Sequence, residues 1–119
     1  MPNPVVHFEI QTKDAVRCQK FFADLFGWHV DANNPMNYGI IDTHDEGING
    51  GIGQTDGPNM VTFYVQVDDI QAYLDRAESL GGKAILPETV IPDMVTLALF
   101  SDIEGNTVGL VKSEQPAEG

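Results

Sequence analysis

The stretch from Val6 to Val30, VHFEIQTKDAVRCQKFFADLFGWHV, decides the fold of this chain. Its pattern predicts a strand, a helix cap, an amphipathic helix, a glycine stop and a second strand. The same order recurs from Val61 to Ile85, VTFYVQVDDIQAYLDRAESLGGKAI. An offset of 55 residues superimposes the two copies and pairs His7 with Thr62. A fixed-offset match with two copies indicates an internally duplicated domain.

Three further strands follow each helix. The predicted strands are Val5–Gln11, Trp28–Val30, Tyr38–Ile41, Ile48–Gln54, Met60–Val67, Lys83–Leu86, Val95–Phe100 and Thr107–Lys112. Asp14 is the expected N-cap of the first helix and Asp68 or Asp69 that of the second, while Gly27 and Gly81-Gly82 end them. Each copy therefore reads βαβββ, and consecutive strands after a helix favour an α+β fold over a parallel α/β sheet.

The predicted organisation is a single domain over residues 1–119. It contains a module at 5–55 and a second module at 60–112, followed by a flexible tail at 113–119.

The charge balance excludes some classes of partner. The 119 residues include 18 Asp and Glu against 6 Lys and Arg, which gives a net charge of −12. Nucleic acid and an anionic membrane surface would both be repelled. We therefore expect neither as a partner.

The cysteine count and the apolar runs bear on location. Cys18 is the single cysteine, so no intrachain disulfide can form, as is usual in a reducing cytosol. The first residues, MPNPVV, show no signal-peptide pattern, and no apolar run approaches the ~20 residues of a membrane span. A cytoplasmic protein is expected.

The first strand alternates between apolar and polar residues. Val6, Phe8 and Ile10 share one face, which should pack on the helix, whereas His7 and Glu9 share the other. The polar face must look toward water or a cavity, so it is the place to seek a functional site.

Four segments in this order resemble the vicinal oxygen chelate superfamily, which includes glyoxalase I, bleomycin-resistance proteins and extradiol dioxygenases. They are VHFEI, FFADLFGW, VQVDDIQAYLDRAESLGGK and LFSDIEGNTVGLV, and the resemblance spans about Val5 to Lys112. It implies two βαβββ modules that form a cupped mixed sheet around a cavity, and a homodimer.

The resemblance also implies where metal ligands would lie. In metal-dependent members they come from the first, fourth, fifth and eighth strands and are usually His, with Glu on the eighth. The first-strand match, His7, is intact, and the fifth-strand position is Thr62. Aligning the turns DEG (45–47) and IEG (103–105) places Gly51 and Gly109 at the other two positions. One ligand of four does not make a usable site, so no resident metal is expected, with His7 as the ligand if any binds.

Two interpretations of Gly51 and Gly109 stay open. Either they enlarge a pocket lined by Trp28, Tyr38, Tyr64 and Phe100, or they permit strand curvature. An unusual metal register that uses Glu9 beside His7, with Tyr64 and Asn49 also pointing inward, is a further alternative. The trio His44-Asp45-Glu46 resembles a cation site, but its place in a hairpin turn explains it better.

The expected function is the binding of a small organic molecule in a cavity between the modules, without the standard divalent metal and without another cofactor. The alternative is a metal-dependent glyoxalase-like lyase or dioxygenase acting on a small oxygenated metabolite. His7, Glu9 and Tyr64 are the candidate catalytic residues, with His7 as a general base. The candidate pocket residues are Trp28, Tyr38, Asn49, Gly51, Thr62, Phe100 and Gly109.

Overall fold

Eight strands and two helices follow the order that the duplicated pattern predicts. The structure is a computed structural model and describes residues 2–44, 46–92 and 94–112. The elements are β1 (Val5–Thr12), α1 (Ala15–Phe26), β2 (His29–Asp31), β3 (Gly39–Asp42), β4 (Asn49–Gln54), β5 (Met60–Val67), α2 (Ile70–Ser79), β6 (Lys83–Ile91), β7 (Val95–Ser101) and β8 (Thr107–Lys112). The α+β class is thereby confirmed. The expected flexible tail at 113–119 lies outside the described residues.

The contacts of the chain divide it into two units. The N-terminal unit is Val6–Phe63, and the C-terminal unit comprises Met1–Val5 together with Tyr64–Gly119. The division falls within β5, so Thr62 belongs to the N-terminal unit and Tyr64 to the C-terminal one.

The N-terminal unit orders its strands β2-β3-β4-β1. β1 and β4 run parallel with Glu9 opposite Gly51, and β3 and β4 run antiparallel with Ile40 opposite the same glycine. Ile41 and Ile52 are fully buried. Gly51 of β4 thus has Glu9 of β1 on one side and Ile40 of β3 on the other.

The C-terminal unit repeats this arrangement with the order β5-β8-β7-β6. β5 and β8 are parallel, and Tyr64 lies opposite Gly109. The 55-residue offset pairs Glu9 with Tyr64. The duplication in the sequence is therefore matched in the structure by a parallel β1–β4 pair in one unit and a parallel β5–β8 pair in the other. The core of this unit is the cluster of Val67, Ile70, Leu74, Ala98 and Leu110.

The helix caps confirm the sequence signals. The carboxylates of Asp14 and Asp69 accept hydrogen bonds from the backbone N–H groups of Arg17 and Ala72, each at 3.1 Å. Gly27 closes α1 in the left-handed region with φ 71°. The second helix ends at Ser79 with Leu80 as its C-cap, just before the expected glycine pair, and Gly81 has φ 104°.

Gln19 is a buried polar residue of α1, only 9% exposed. Its side-chain amide donates to the backbone carbonyl of Ile52 at 3.0 Å. A buried amide is tolerated there because it satisfies a carbonyl inside the unit. Phe21 and Leu25 of the same helix are, by contrast, 57% exposed although they are apolar.

The sixth strand is longer than predicted. It was expected at Lys83–Leu86, but β6 continues to Ile91 through Pro87. Within its unit β6 lies at the end of the strand order, where a residue without a backbone N–H is tolerated. Register shifts between Ala84 and Thr89 accommodate the interruption.

No helix within the described ranges is both long and apolar enough to cross a membrane.

Replacing either N-cap tests the cap assignment. Asp14→Ala and Asp69→Ala should each lower the free energy of unfolding by about 1 kcal/mol, because a helix N–H loses its acceptor. Asp→Asn at the same positions is the matched control, since it retains an acceptor oxygen. Urea denaturation would measure both, and equal losses for Ala and Asn would contradict a capping role.

Candidate functional site

Three side chains of the N-terminal unit form a hydrogen-bonded group, here called the polar trio: His7, Glu9 and Tyr38. His7 and Glu9 project from the same face of β1 because they are two residues apart on a strand. The Tyr38 hydroxyl lies 2.9 Å from His7 Nε2 and 2.9 Å from Glu9 Oε1. The phenol therefore bridges the imidazole and the carboxylate.

A polar loop positions Tyr38. This residue was expected to begin the third strand, but β3 starts one residue later, at Gly39. The Asn34 side chain bonds both backbone groups of Tyr38: its oxygen accepts from the Tyr38 N–H at 3.0 Å, and its nitrogen donates to the Tyr38 carbonyl at 2.7 Å. The loop thus holds the phenol ring in place from outside the strand. The residues Asn33-Asn34-Pro35 are typical of a turn, but this pattern does not indicate the contact with Tyr38.

The proton positions in the trio follow from the single hydroxyl proton. Tyr38 donates that proton to Glu9, so its oxygen accepts from His7, and Nε2 of His7 must carry the hydrogen. The neutral ring then has its lone pair on Nδ1. A fixed tautomer is what a histidine needs in order to accept a proton at one defined atom.

Burial decides the charge of His7. Desolvation lowers the pKa of the imidazole below its ordinary value of 6.5, and the nearby Glu9 carboxylate raises it by a smaller amount. The ring is therefore mostly neutral at pH 7. Glu9 itself is only 9% exposed, so its hydrogen bond from Tyr38 offsets part of the cost of burying a carboxylate.

The Tyr38 ring occupies the space that the absent side chain at Gly51 leaves. A Cβ atom built on Gly51 would overlap the phenol at Cζ and Oη. The space at this glycine is filled by Tyr38 rather than left as open pocket. Gly51 is needed because any side chain there would displace the residue that bridges His7 and Glu9.

The C-terminal unit uses the same device at Gly109. A Cβ atom there would overlap the ring of Tyr64, its neighbour in the β5–β8 register. Tyr64 is 5% exposed. Each glycine at a family ligand position is therefore covered by a tyrosine, which comes from a loop in one unit and from the paired strand in the other.

Two further candidates have separate surroundings. Thr62 is 5% exposed, and its hydroxyl lies 3.5 Å from the carbonyl oxygen of Phe63. Asn49, expected to point inward, is exposed at the start of β4, where its amide oxygen accepts from the backbone N–H and the hydroxyl of Thr43, across the β3–β4 turn. Asn49 therefore closes the turn.

Trp28 and Phe100 were expected to line the pocket, but they pack on the helix-facing sides of their units. Trp28 contacts Phe8 and Phe22 with ring centroids 5.5 Å apart in each case. Phe8 and His7 lie on opposite faces of β1, so Trp28 is separated from the polar trio. Phe100 packs against the C-terminal core cluster.

The residues at the four positions that the resemblance implies for metal ligands do not fit a divalent metal. They offer one imidazole, one hydroxyl and two glycines without side chains. Across residues 2–44, 46–92 and 94–112, no three His, Cys, Asp or Glu side chains are grouped so that they could hold a metal ion. Asp45, of the sequence trio His44-Asp45-Glu46, lies outside the described residues.

Two βαβββ units, with a histidine on the first strand and parallel first and fourth strands, define a protein of the glyoxalase type. The Glyoxalase-like domain family matches residues 7–111, and the chain belongs to that family. The resemblance to the vicinal oxygen chelate superfamily is thereby confirmed.

Relatives and solved structures agree with this assignment. "Putative glyoxylase CFP32" of Mycobacterium tuberculosis is 29% identical over 112 residues, which cover 86% of this chain and 42% of that protein. This chain thus spans less than half the length of that curated relative.

Two solved structures share the fold. A glyoxalase/bleomycin resistance protein/dioxygenase superfamily member from Vibrio splendidus 12B01 has a TM-score of 0.65 at 20% identity, over 94% of this chain and 100% of that one. Methylmalonyl-CoA epimerase from Mycobacterium tuberculosis has a TM-score of 0.66 at 13% identity, over 93% and 88% of the two chains. At these identities the likeness concerns the fold alone.

A double-mutant cycle tests the pairing of Gly51 with Tyr38. Gly51→Ala should destabilise the protein by about 1–3 kcal/mol, because the new methyl group overlaps the phenol ring. In a Tyr38→Ala background the same change should cost at least about 1 kcal/mol less, since the obstacle is gone. Urea denaturation of the four proteins gives the coupling. Equal costs in both backgrounds would show that Tyr38 is not what excludes a side chain.

The pH dependence of stability tests the environment of His7. Because the folded chain binds the His7 proton more weakly than the unfolded chain, His7 contributes stability above about pH 6.5. This contribution is lost as the pH falls from 6.5 through the lowered pKa. The free energy of unfolding of His7→Gln should therefore fall less than that of the wild type between pH 7.5 and 5. Parallel curves for the two proteins would contradict this assignment.

Proposed function

We propose that this protein binds a small oxygenated organic molecule at the polar trio, without a resident divalent metal. The observation that carries the proposal is the Tyr38 hydroxyl, which bridges His7 and Glu9 at 2.9 Å on each side. A few polar groups fixed in position within a mostly apolar surround are the usual recognition elements of small-molecule sites.

The chemistry of the trio favours a ligand with hydrogen-bonding oxygen atoms. The phenol can exchange its partners within the trio for a ligand hydroxyl or carbonyl, and the neutral imidazole presents an acceptor at Nδ1. The structural neighbour from Mycobacterium tuberculosis is named for methylmalonyl-CoA, a small-molecule thioester. That name supports a small organic ligand for the fold, while the choice of ligand here rests on the trio.

The proposal includes no metal because His7 is the one usual metal ligand among the four positions. The two glycine positions are covered by tyrosine rings, so a ligating side chain could not be placed there without moving Tyr38 or Tyr64. The metal-dependent lyase or dioxygenase is therefore the less favoured alternative.

A second candidate function is proton transfer to and from a bound carbonyl compound. The observation that favours it is the fixed order His7–Tyr38–Glu9 together with a His7 pKa lowered by burial. A neutral imidazole accepts a proton at Nδ1, and the cation formed is stabilised through Nε2–H, the Tyr38 hydroxyl and the Glu9 carboxylate. In this role Tyr38 is a hydrogen-bonding partner of the two first-strand residues.

The proposal also includes a cytoplasmic location, based on the single cysteine, and a homodimer, based on the family resemblance.

Ligand screening with matched tyrosine variants tests the proposal. A thermal-shift screen of small carboxylates, aldehydes, diols and thioesters should yield ligands that raise the melting temperature. Calorimetry should show that Tyr38→Phe weakens their binding about tenfold, because one hydrogen bond of the trio is lost. Tyr73→Phe is the control, since the Tyr73 hydroxyl accepts a hydrogen bond from Asn3, outside the trio. Ligands that respond equally to both variants, or no ligands, would refute the site.

Elemental analysis distinguishes metal-free ligand binding from the metal-dependent lyase or dioxygenase. Protein purified without chelator should contain clearly substoichiometric Ni, Zn, Mn and Fe, since a single usual ligand, His7, does not hold a divalent ion. A near-stoichiometric metal that disappears in His7→Ala would show that a metal site exists and would favour the lyase or dioxygenase.

A further inference from the structure

The C-terminal unit contains an apolar crevice that the polar trio does not involve. It has a volume of about 340 Å³ and lies between the C-terminal half of α2 and the Asp102–Asn106 turn. Its walls are mostly apolar and include Tyr73, Leu80, Phe100 and Ile103. Leu80 and Ile103 are 67% and 71% exposed, so apolar surface remains in contact with water at the mouth.

Small residues create this crevice. Ala77 lines it from the helix, and Gly82 lies where the chain leaves α2. A Cβ atom at Gly82 would come within 2.5 Å of the Ser101 carbonyl oxygen, so the backbones are already in close contact there. The gap therefore arises from the absence of bulk at Ala77 beside a tightly packed turn.

Arg76 places a cation at the edge of the crevice. The same residue, with Tyr73, also lines a broader depression of about 700 Å³ that includes Asp75 and Ser79. Arg76 thus lies where an apolar crevice meets a polar surface. An amphipathic ligand would place its charged end at such a boundary.

The carboxylates next to Arg76 along α2, and Asp102 in the crevice wall, accept hydrogen bonds from other groups. Asp75 accepts from the Gln71 side chain, Glu78 from the Ala84 backbone N–H, and Asp102 from the Asn106 side chain and the turn backbone. In the part of the chain that the structure describes, Arg76 forms no ion pair. Its guanidinium is therefore available to an external anion in a chain whose net charge is −12.

We propose that this crevice binds a linear amphipathic carboxylate, with the hydrocarbon chain between α2 and the turn and the carboxylate on Arg76. The apolar wall follows the helix from Tyr73 to Leu80, seven residues or about 10 Å, which suits an extended chain of medium length. Burying the alkyl chain supplies the affinity, and the guanidinium fork selects a carboxylate over a neutral head group. This site is independent of the proposed function at the polar trio.

Octanoate is the probe that tests the site. Titration into isotopically labelled protein should move the amide resonances of Gly82 and Ile103 in a saturable manner. Arg76→Gln should weaken octanoate binding about fivefold, the effect of one exposed ion pair. Ala77→Met should abolish binding because its side chain fills the crevice. Arg17→Gln, which removes an exposed arginine from α1, should leave binding unchanged.

Two reference measurements make the test decisive. Octanol should bind the wild type more weakly than octanoate does and should not distinguish it from Arg76→Gln, while Tyr38→Phe should leave octanoate binding intact. The proposal is overturned if octanoate produces no saturable shift at the crevice, if Arg76→Gln binds it as tightly as the wild type, or if octanol binds equally well. Arg76 is exposed, so its variant remains informative even if Ala77→Met fails to fold.

Discussion

The candidate site depends on the bridge that the Tyr38 hydroxyl makes between His7 and Glu9, each at 2.9 Å. Gly51 makes the bridge possible because it has no side chain to compete with the phenol ring. A single hydroxyl then fixes the imidazole tautomer and supplies a donor to a largely buried carboxylate. The proton position on His7 and the hydrogen bond to the buried Glu9 thus both depend on the Tyr38 side chain, which lies over Gly51.

In each of the duplicated units a tyrosine ring covers a glycine, but the tyrosine comes from a different part of the chain. Tyr64 covers Gly109 from the strand paired with it, whereas Tyr38 reaches Gly51 from the loop before β3. The offset that relates the copies pairs Glu9 with Tyr64, so the polar trio has no counterpart in the C-terminal unit. The divergence of the copies explains why polar chemistry collects in one unit and an apolar crevice with an arginine at its edge in the other.

The fold could be predicted from the sequence because its signals are local. Periodicity and the cap signals at Asp14 and at Asp68 or Asp69 placed both helices, and the repeat offset gave the βαβββ succession of elements in each copy. The site could be predicted only in part. His7 and Glu9 follow from strand alternation, but the closure of the Gly51 gap by Tyr38 depends on a loop conformation set by Asn34. Buried Gln19 and the extension of β6 past Pro87 likewise depend on nonlocal partners that periodicity does not encode.

The tyrosine-covered glycines also constrain how such a protein could change in evolution. A metal ligand introduced at Gly51 or Gly109 alone would collide with an aromatic ring before it could coordinate anything. Acquiring a metal centre would require a ligand at the glycine together with the loss of the tyrosine that covers it, Tyr38 at Gly51 or Tyr64 at Gly109, and each change alone would be harmful. Chains of this kind are therefore separated from metal-dependent relatives by a steric barrier that single substitutions do not cross.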